Sequence, residues 1–106
     1  EVSVLQHSDP TASTFGESNL LWETVARHTQ IAYPGASLVP GLIVGGTDAR
    51  FYRQRGITAY GAGLFSPQMD MATFGSRFHG NDERIDVDSL GLSGNFFHGI
   101  ARELVG

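Results

Sequence analysis

Two stretches of this chain carry residue types at spacings that could do chemistry. The first, Arg77-Phe78-His79-Gly80-Asn81-Asp82-Glu83-Arg84-Ile85, sets one histidine beside a turn-forming Gly-Asn-Asp and closes on a charged pair. Neutral imidazole binds divalent zinc, and nearby acceptors fix its tautomer, so His79 reads either as a metal ligand or as a turn or packing residue. The local pattern does not choose between them. The second stretch runs Gly45-Gly46-Thr47-Asp48-Ala49-Arg50-Phe51-Tyr52-Arg53-Gln54-Arg55-Gly56. Two glycines let backbone approach a ligand closely, Thr47 or Asp48 can cap a helix, and Gly56 suits the left-handed position that ends one. The unpaired N–H groups at that helix start would seat an anion such as a carboxylate. The plainer reading is a capped structural helix on a tight turn. A nucleotide loop is excluded, because the Gly-x-x-x-x-Gly-Lys-Ser/Thr spacing is missing and the chain has no lysine.

The elements that must position these stretches are legible in outline. Glu1 to Leu5 alternates like a strand, and His7 to Gly16 is polar and reads as a crossing segment. From Ser18 the pattern turns helical as far as Tyr33-Pro34-Gly35, with Leu21, Val25 and either His28 or Thr29 on one face and Trp22 as a core anchor. Pro40-Gly41 splits the apolar run Ala36 to Val44 into two short extended pieces. The predicted helix Thr47 to Arg55 is followed by a buried strand, Ile57 to Gly61. Residues 63–76 read as a long ordered loop in which Met69, Met71 and Phe74 fill a small core or line an apolar pocket. A last helix, Ser89 to Leu104, is predicted to pack Phe97, Ile100, Ala101 and Leu104 on a sheet, with His98 facing solvent. The expected fold class is therefore α/β, a few strands near Val39 and Ile57–Gly61 with helices packed on them.

Composition narrows the function. The chain's 106 residues suit one domain, and 14 glycines point to many tight turns. Eleven acidic against seven basic residues, all arginine, give a net charge of −4 and no basic face for phosphates, which argues against a nucleic-acid partner. There is no cysteine, so disulfides and thiolate metal sites are ruled out. No apolar run approaches the ~18 residues of a membrane span, and no membrane partner is expected. Glu1 does not look like a signal-peptide start, and a cytoplasmic location is expected. The missing initiator methionine suits a segment of something longer.

Taken in order, Gly-Gly-Thr-Asp-Ala-Arg, Gly-Ile-x-x-Tyr-Gly, Phe-His-Gly-Asn-Asp-Glu-Arg-Ile and a terminal amphipathic helix resemble the C-terminal part of the M20 family of zinc metallopeptidases. The likeness runs from about Leu20 to Leu104 and is nearest to the aminoacylase and carboxypeptidase S branch. It implies residues 1–15 as the end of a lid or dimerisation domain with its crossover, and 16–106 as the C-terminal part of the catalytic domain. In the family, two zinc ions bridged by water hydrolyse an amide bond beside a free carboxylate; cobalt or manganese are alternatives. The likeness implies His79 as a metal ligand and Gly45, Gly46 and Thr47 as the seat of the substrate carboxylate. By the same likeness Asp48 and Arg50 hold that turn, and Glu83 and Arg84 support His79 from outside the metal's ligand set. The implied partners are an N-acyl amino acid or peptide substrate, the rest of the same polypeptide and, for the parent, a second subunit in a homodimer.

The chain departs from the family in having no His-x-Asp and no Glu-Glu pair, although a zinc site needs three or four protein ligands. No catalytic residue is assigned within it, and the isolated chain is expected to be inactive, to hold zinc poorly and to self-associate. The competing expectation is a non-catalytic α/β interaction or structural module derived from the same fold.

Overall fold

The computed structural model describes residues 19–41 and 45–106. They form four helices: α1 (Leu20–Ala32), α2 (Ala49–Arg53), α3 (Met71–Gly75) and α4 (Val87–Val105). The chain divides into two compact units, Glu1–Ser18 with Val39–Gly61, and Asn19–Leu38 with Ala62–Gly106. The expected strand at Glu1–Leu5 and the segment assigned to residues 1–15 lie outside the described residues.

The α/β expectation is overturned, for there is no strand among the described residues. Val39 and Ile57–Gly61 are neither helix nor strand, so the ladder of paired N–H and C=O groups that defines a sheet does not form there. The carbonyl of Ala59, which a neighbouring strand would have used, instead accepts from Arg53 Nη1 at 3.0 Å. Ile57 is half-exposed rather than buried.

The second unit is built on α1 and α4. Asn19 caps α1: its side chain accepts from the Trp22 N–H at 3.0 Å, and the helix stops at Tyr33, just before Pro34. Val25 of α1 is buried with Phe96 and Ile100 of α4 and Leu64 of the connecting chain, and Leu21, Leu38 and Leu92 pack around them. Trp22 is only half-buried, so the predicted anchor is displaced by Val25. The pairings Thr24 with Glu103 and His28 with Gly99 show that the two helices run antiparallel. A Cβ on Gly99 would lie 2.5 Å from the His28 ring, so that mid-helix glycine is what lets the ring lie against α4.

The stripe expected to face inward on α4 is rotated. Phe96 and Ile100 are buried, whereas Phe97 is 51% exposed and Ala101 and Leu104 are also exposed. Of the stripe predicted from periodicity, only Ile100 reaches the core. The loop over residues 62–78 has structure of its own. Asp70 caps the short helix α3 by accepting from Thr73 N–H at 2.7 Å, and Phe74 lies 4.6 Å from both Phe65 and Phe78, centroid to centroid. Met71, expected to line an apolar pocket or fill the loop's core, is 80% exposed.

Because Phe96 sits at the centre of this core, Phe96→Ala is expected to cost about 3–5 kcal/mol. Phe97→Ala removes only a ring on the outer face, in edge contact with Phe96 at 5.3 Å, and should cost about 1 kcal/mol or less. Urea unfolding of the two variants side by side checks the order.

Candidate functional site

His79 lies in an eight-residue excursion, 78–85, between α3 and α4. Its backbone is left-handed at φ 56°, as is that of Asp82 at φ 63°, conformations that cost a non-glycine residue energy and persist only when the surroundings impose them. The imposing contacts are at the base of the loop. Arg77 Nη1 donates to Asp86 Oδ2 at 3.0 Å, joining the residue before the excursion to the residue after it. Asp86 is also the N-cap of α4: Oδ1 accepts from Ser89 N–H at 2.8 Å and Oδ2 from the Ser89 hydroxyl at 2.8 Å. Ser89 is fully buried and its Oγ accepts from Ser66 N–H at 2.7 Å, so one hydroxyl ties the segment around Ser66 to the start of α4.

Within this frame the His79 side chain is exposed, and among the described residues no hydrogen bond engages its ring. Glu83 is exposed as well, and Arg84 donates to the Asp82 carbonyl at 2.9 Å. The structure thus brings neither into hydrogen-bond contact with His79; Arg84 instead braces the loop through the Asp82 carbonyl. Among the described residues no three His, Asp or Glu side chains gather where they could hold a metal ion. His79 can offer one imidazole nitrogen, which is a single member of the ligand set that zinc requires.

The glycine stretch lies in the other compact unit. Gly45, Gly46 and Thr47 are exposed. Helix α2 is only five residues long, shorter than the predicted Thr47–Arg55, and Asp48 at its N-cap makes no side-chain capping bond. So short a helix aligns few peptide dipoles, and the anion seat argued from its N-terminus loses that support. Arg50 Nη1 lies 3.4 Å from where a Cβ on Gly46 would stand, so the missing side chain leaves room for this guanidinium against the turn. The end of the stretch is as predicted: Gly56 is left-handed at φ 75°, and the paired bonds Gly56 N–H to Arg53 O (2.9 Å) and Ile57 N–H to Tyr52 O (3.1 Å) close it.

One cluster has no counterpart in the sequence reading. Glu103 on α4 accepts from the Arg27 guanidinium and from Thr24 Oγ1 at 3.1 Å, and its Oε2 is 3.0 Å from His28 Nε2. The Arg27 bond first, then those from His28 and Thr24, hold this carboxyl below its ordinary range, against the opposing effect of burial. His28, one of two candidates for the inward face of the predicted helix, is therefore a pin between α1 and α4. The available signal was the Thr24, Arg27, His28 spacing, which puts all three on one helical face.

No protein-family model and no solved structure matches the chain. The chain is similar to the N-fatty-acyl-amino acid synthase/hydrolase PM20D1 of Xenopus tropicalis, 29% identical over 97 residues, an alignment covering 92% of this chain and 18% of that protein. It therefore spans less than a fifth of the relative's length. That likeness is consistent with the M20 resemblance at the level of the family, not of the branch.

The Asp86 carboxyl is held below its ordinary value of 3.8, by the Ser89 backbone N–H foremost and then by the Ser89 hydroxyl and Arg77, with burial opposing. A lowered folded value stabilises the fold fully above the ordinary value, and that contribution is lost as pH falls through the lowered one. Amide exchange across residues 78–85, referred to α4, should stay constant from neutral pH down to about 3.8 and accelerate below it, while Asp86→Asn should flatten the dependence. Ser89→Ala, which strips a buried hydroxyl from its partners, should cost about 1–3 kcal/mol in the same denaturation series.

Proposed function

We propose that this chain is the C-terminal segment of a zinc-dependent hydrolase that cleaves an amide bond next to a free carboxylate, acting on N-acyl amino acids or peptides. The observation that carries this reading is the likeness to the N-fatty-acyl-amino acid synthase/hydrolase, which extends over 92% of the chain and takes in both motif stretches. The His79 loop supports it independently: an exposed imidazole on a left-handed turn, tied at its base by Arg77 and Asp86, is a donor aimed by backbone rather than by its own contacts.

In this proposal His79 supplies one nitrogen to a metal cage whose other ligands, with the general base, come from sequence outside these residues. Zinc, once bound, would polarise the scissile carbonyl and acidify a water. The chain's own residues position groups: the Arg77–Asp86–Ser89 network fixes the loop, and Gly45, Gly46 and Thr47 offer exposed backbone to the substrate carboxylate. Recognition of that carboxylate by backbone leaves the acyl group unconstrained by this segment.

The test uses the longer parent enzyme, assayed on N-acyl amino acids and short peptides with and without added zinc or cobalt. His79→Ala should reduce both bound metal and kcat by more than the roughly 10–100-fold that loss of an outer-shell partner costs. Arg77→Ala, acting only through the loop, should fall within that range. Unchanged metal content and turnover in the His79 variant would sink the proposal, as would turnover by the 106-residue chain alone.

A further inference from the structure

Phe78 stands directly before His79 and is 47% exposed, yet its ring is held. Its centroid lies 4.6 Å from that of Phe74 in α3, and Phe74 lies 4.6 Å from Phe65 in an edge-to-face pair at 80°. This row of rings starts from a fixed base. The Leu64 carbonyl accepts from Ser93 Oγ at 2.6 Å, the Phe65 carbonyl from the Tyr33 hydroxyl, and the Ser66 N–H donates to Ser89 Oγ at 2.7 Å. Consecutive residues at the base are thus bound to side chains of α4 and of the α1 C-cap.

The place where the row ends is what matters. Each residue adds two soft backbone dihedrals, so a loop pinned only at Arg77 by Asp86 would still swing about the bonds that follow. Pinning Phe78 as well, by a different partner, fixes the approach to His79. The left-handed backbone at φ 56° then has surroundings that can impose it, because two aromatic pairs are of the same order as the cost of one strained residue. We infer that Phe74, acting through the ring of Phe78, is a positioning residue for the His79 imidazole, which has no hydrogen bond of its own among the described residues. Helix α3 thereby serves the site although none of its residues is assigned to metal or substrate. For catalysis the inference rests on the proposal that His79 binds zinc; for the conformation of the loop it stands alone.

Phe74→Leu keeps an apolar side chain at a half-buried position outside the core and removes the ring, whereas Phe78→Tyr keeps a ring at an exposed position. Met71→Ala, on the same helix and 80% exposed in the wild type, is the control. In the 106-residue chain, amide nitrogen relaxation should give His79 an order parameter of about 0.85 in the wild type, Phe78→Tyr and Met71→Ala, and below about 0.6 in Phe74→Leu. The Ile100 amide should stay rigid in every variant, which shows the helix pair intact. In the longer parent, chelator competition should find zinc bound about tenfold more weakly by Phe74→Leu, with kcat lowered and KM kept, while Phe78→Tyr matches the wild type. A rigid His79 amide in Phe74→Leu would overturn the inference whatever the parent does. So would unchanged zinc affinity in that variant where His79→Ala loses its zinc. If His79→Ala keeps its zinc, the proposed function falls, and the order parameter alone decides the inference.

Discussion

A single buried hydroxyl governs how the C-terminal half is arranged. Ser89 Oγ donates to Asp86 and accepts from Ser66 N–H, while Asp86 holds the first turn of α4 and reaches back to Arg77. A buried polar group without partners costs more than its bond returns, so each member of this set enforces the others. The consequence is a fixed entry to α4, from which the 62–78 segment hangs by Ser66 at one end and Arg77 at the other. Ser93 Oγ, donating to the Leu64 carbonyl at 2.6 Å, repeats the device one turn further along.

The opposite end of the helix pair is held by charge. Glu103 draws Thr24, Arg27 and His28 of α1 onto α4, and the glycine beneath the His28 ring makes the close approach sterically possible. Between these two polar ends, Val25, Leu64, Phe96 and Ile100 are buried among the described residues, with Leu21, Ala32, Tyr33, Leu38 and Leu92 packed against them. The polar pins flank this apolar contact on both sides.

Helices with local signals were readable from sequence. Proline after Tyr33 and glycine at 56 are short-range punctuation, and the structure ends turns or helices at those places, whereas α4 starts at Val87, two residues before the expected Ser89. What failed depended on distant partners. Ile57–Gly61 looks like a strand by composition, but it takes no strand conformation among the described residues, and the Ala59 carbonyl is taken by Arg53. The inward stripe of α4 was misjudged because two apolar seams share that helix, and periodicity alone gives no way to tell which meets Val25. Ser89 and Glu103 could not be found from spacing, since their partners lie 23 and 75 or more residues away. For the histidine loop, the residue types were legible and its tether was not.

That tether has a bearing on how the chain could change over time. With Arg77 and Asp86 joined below it, the excursion that bears His79 transmits little of its own sequence to the helices. Residues could be exchanged or added there for little more than the slowly growing entropy of closing a longer loop. Variation in what lies beside the imidazole is thereby insulated from variation in what keeps the protein folded.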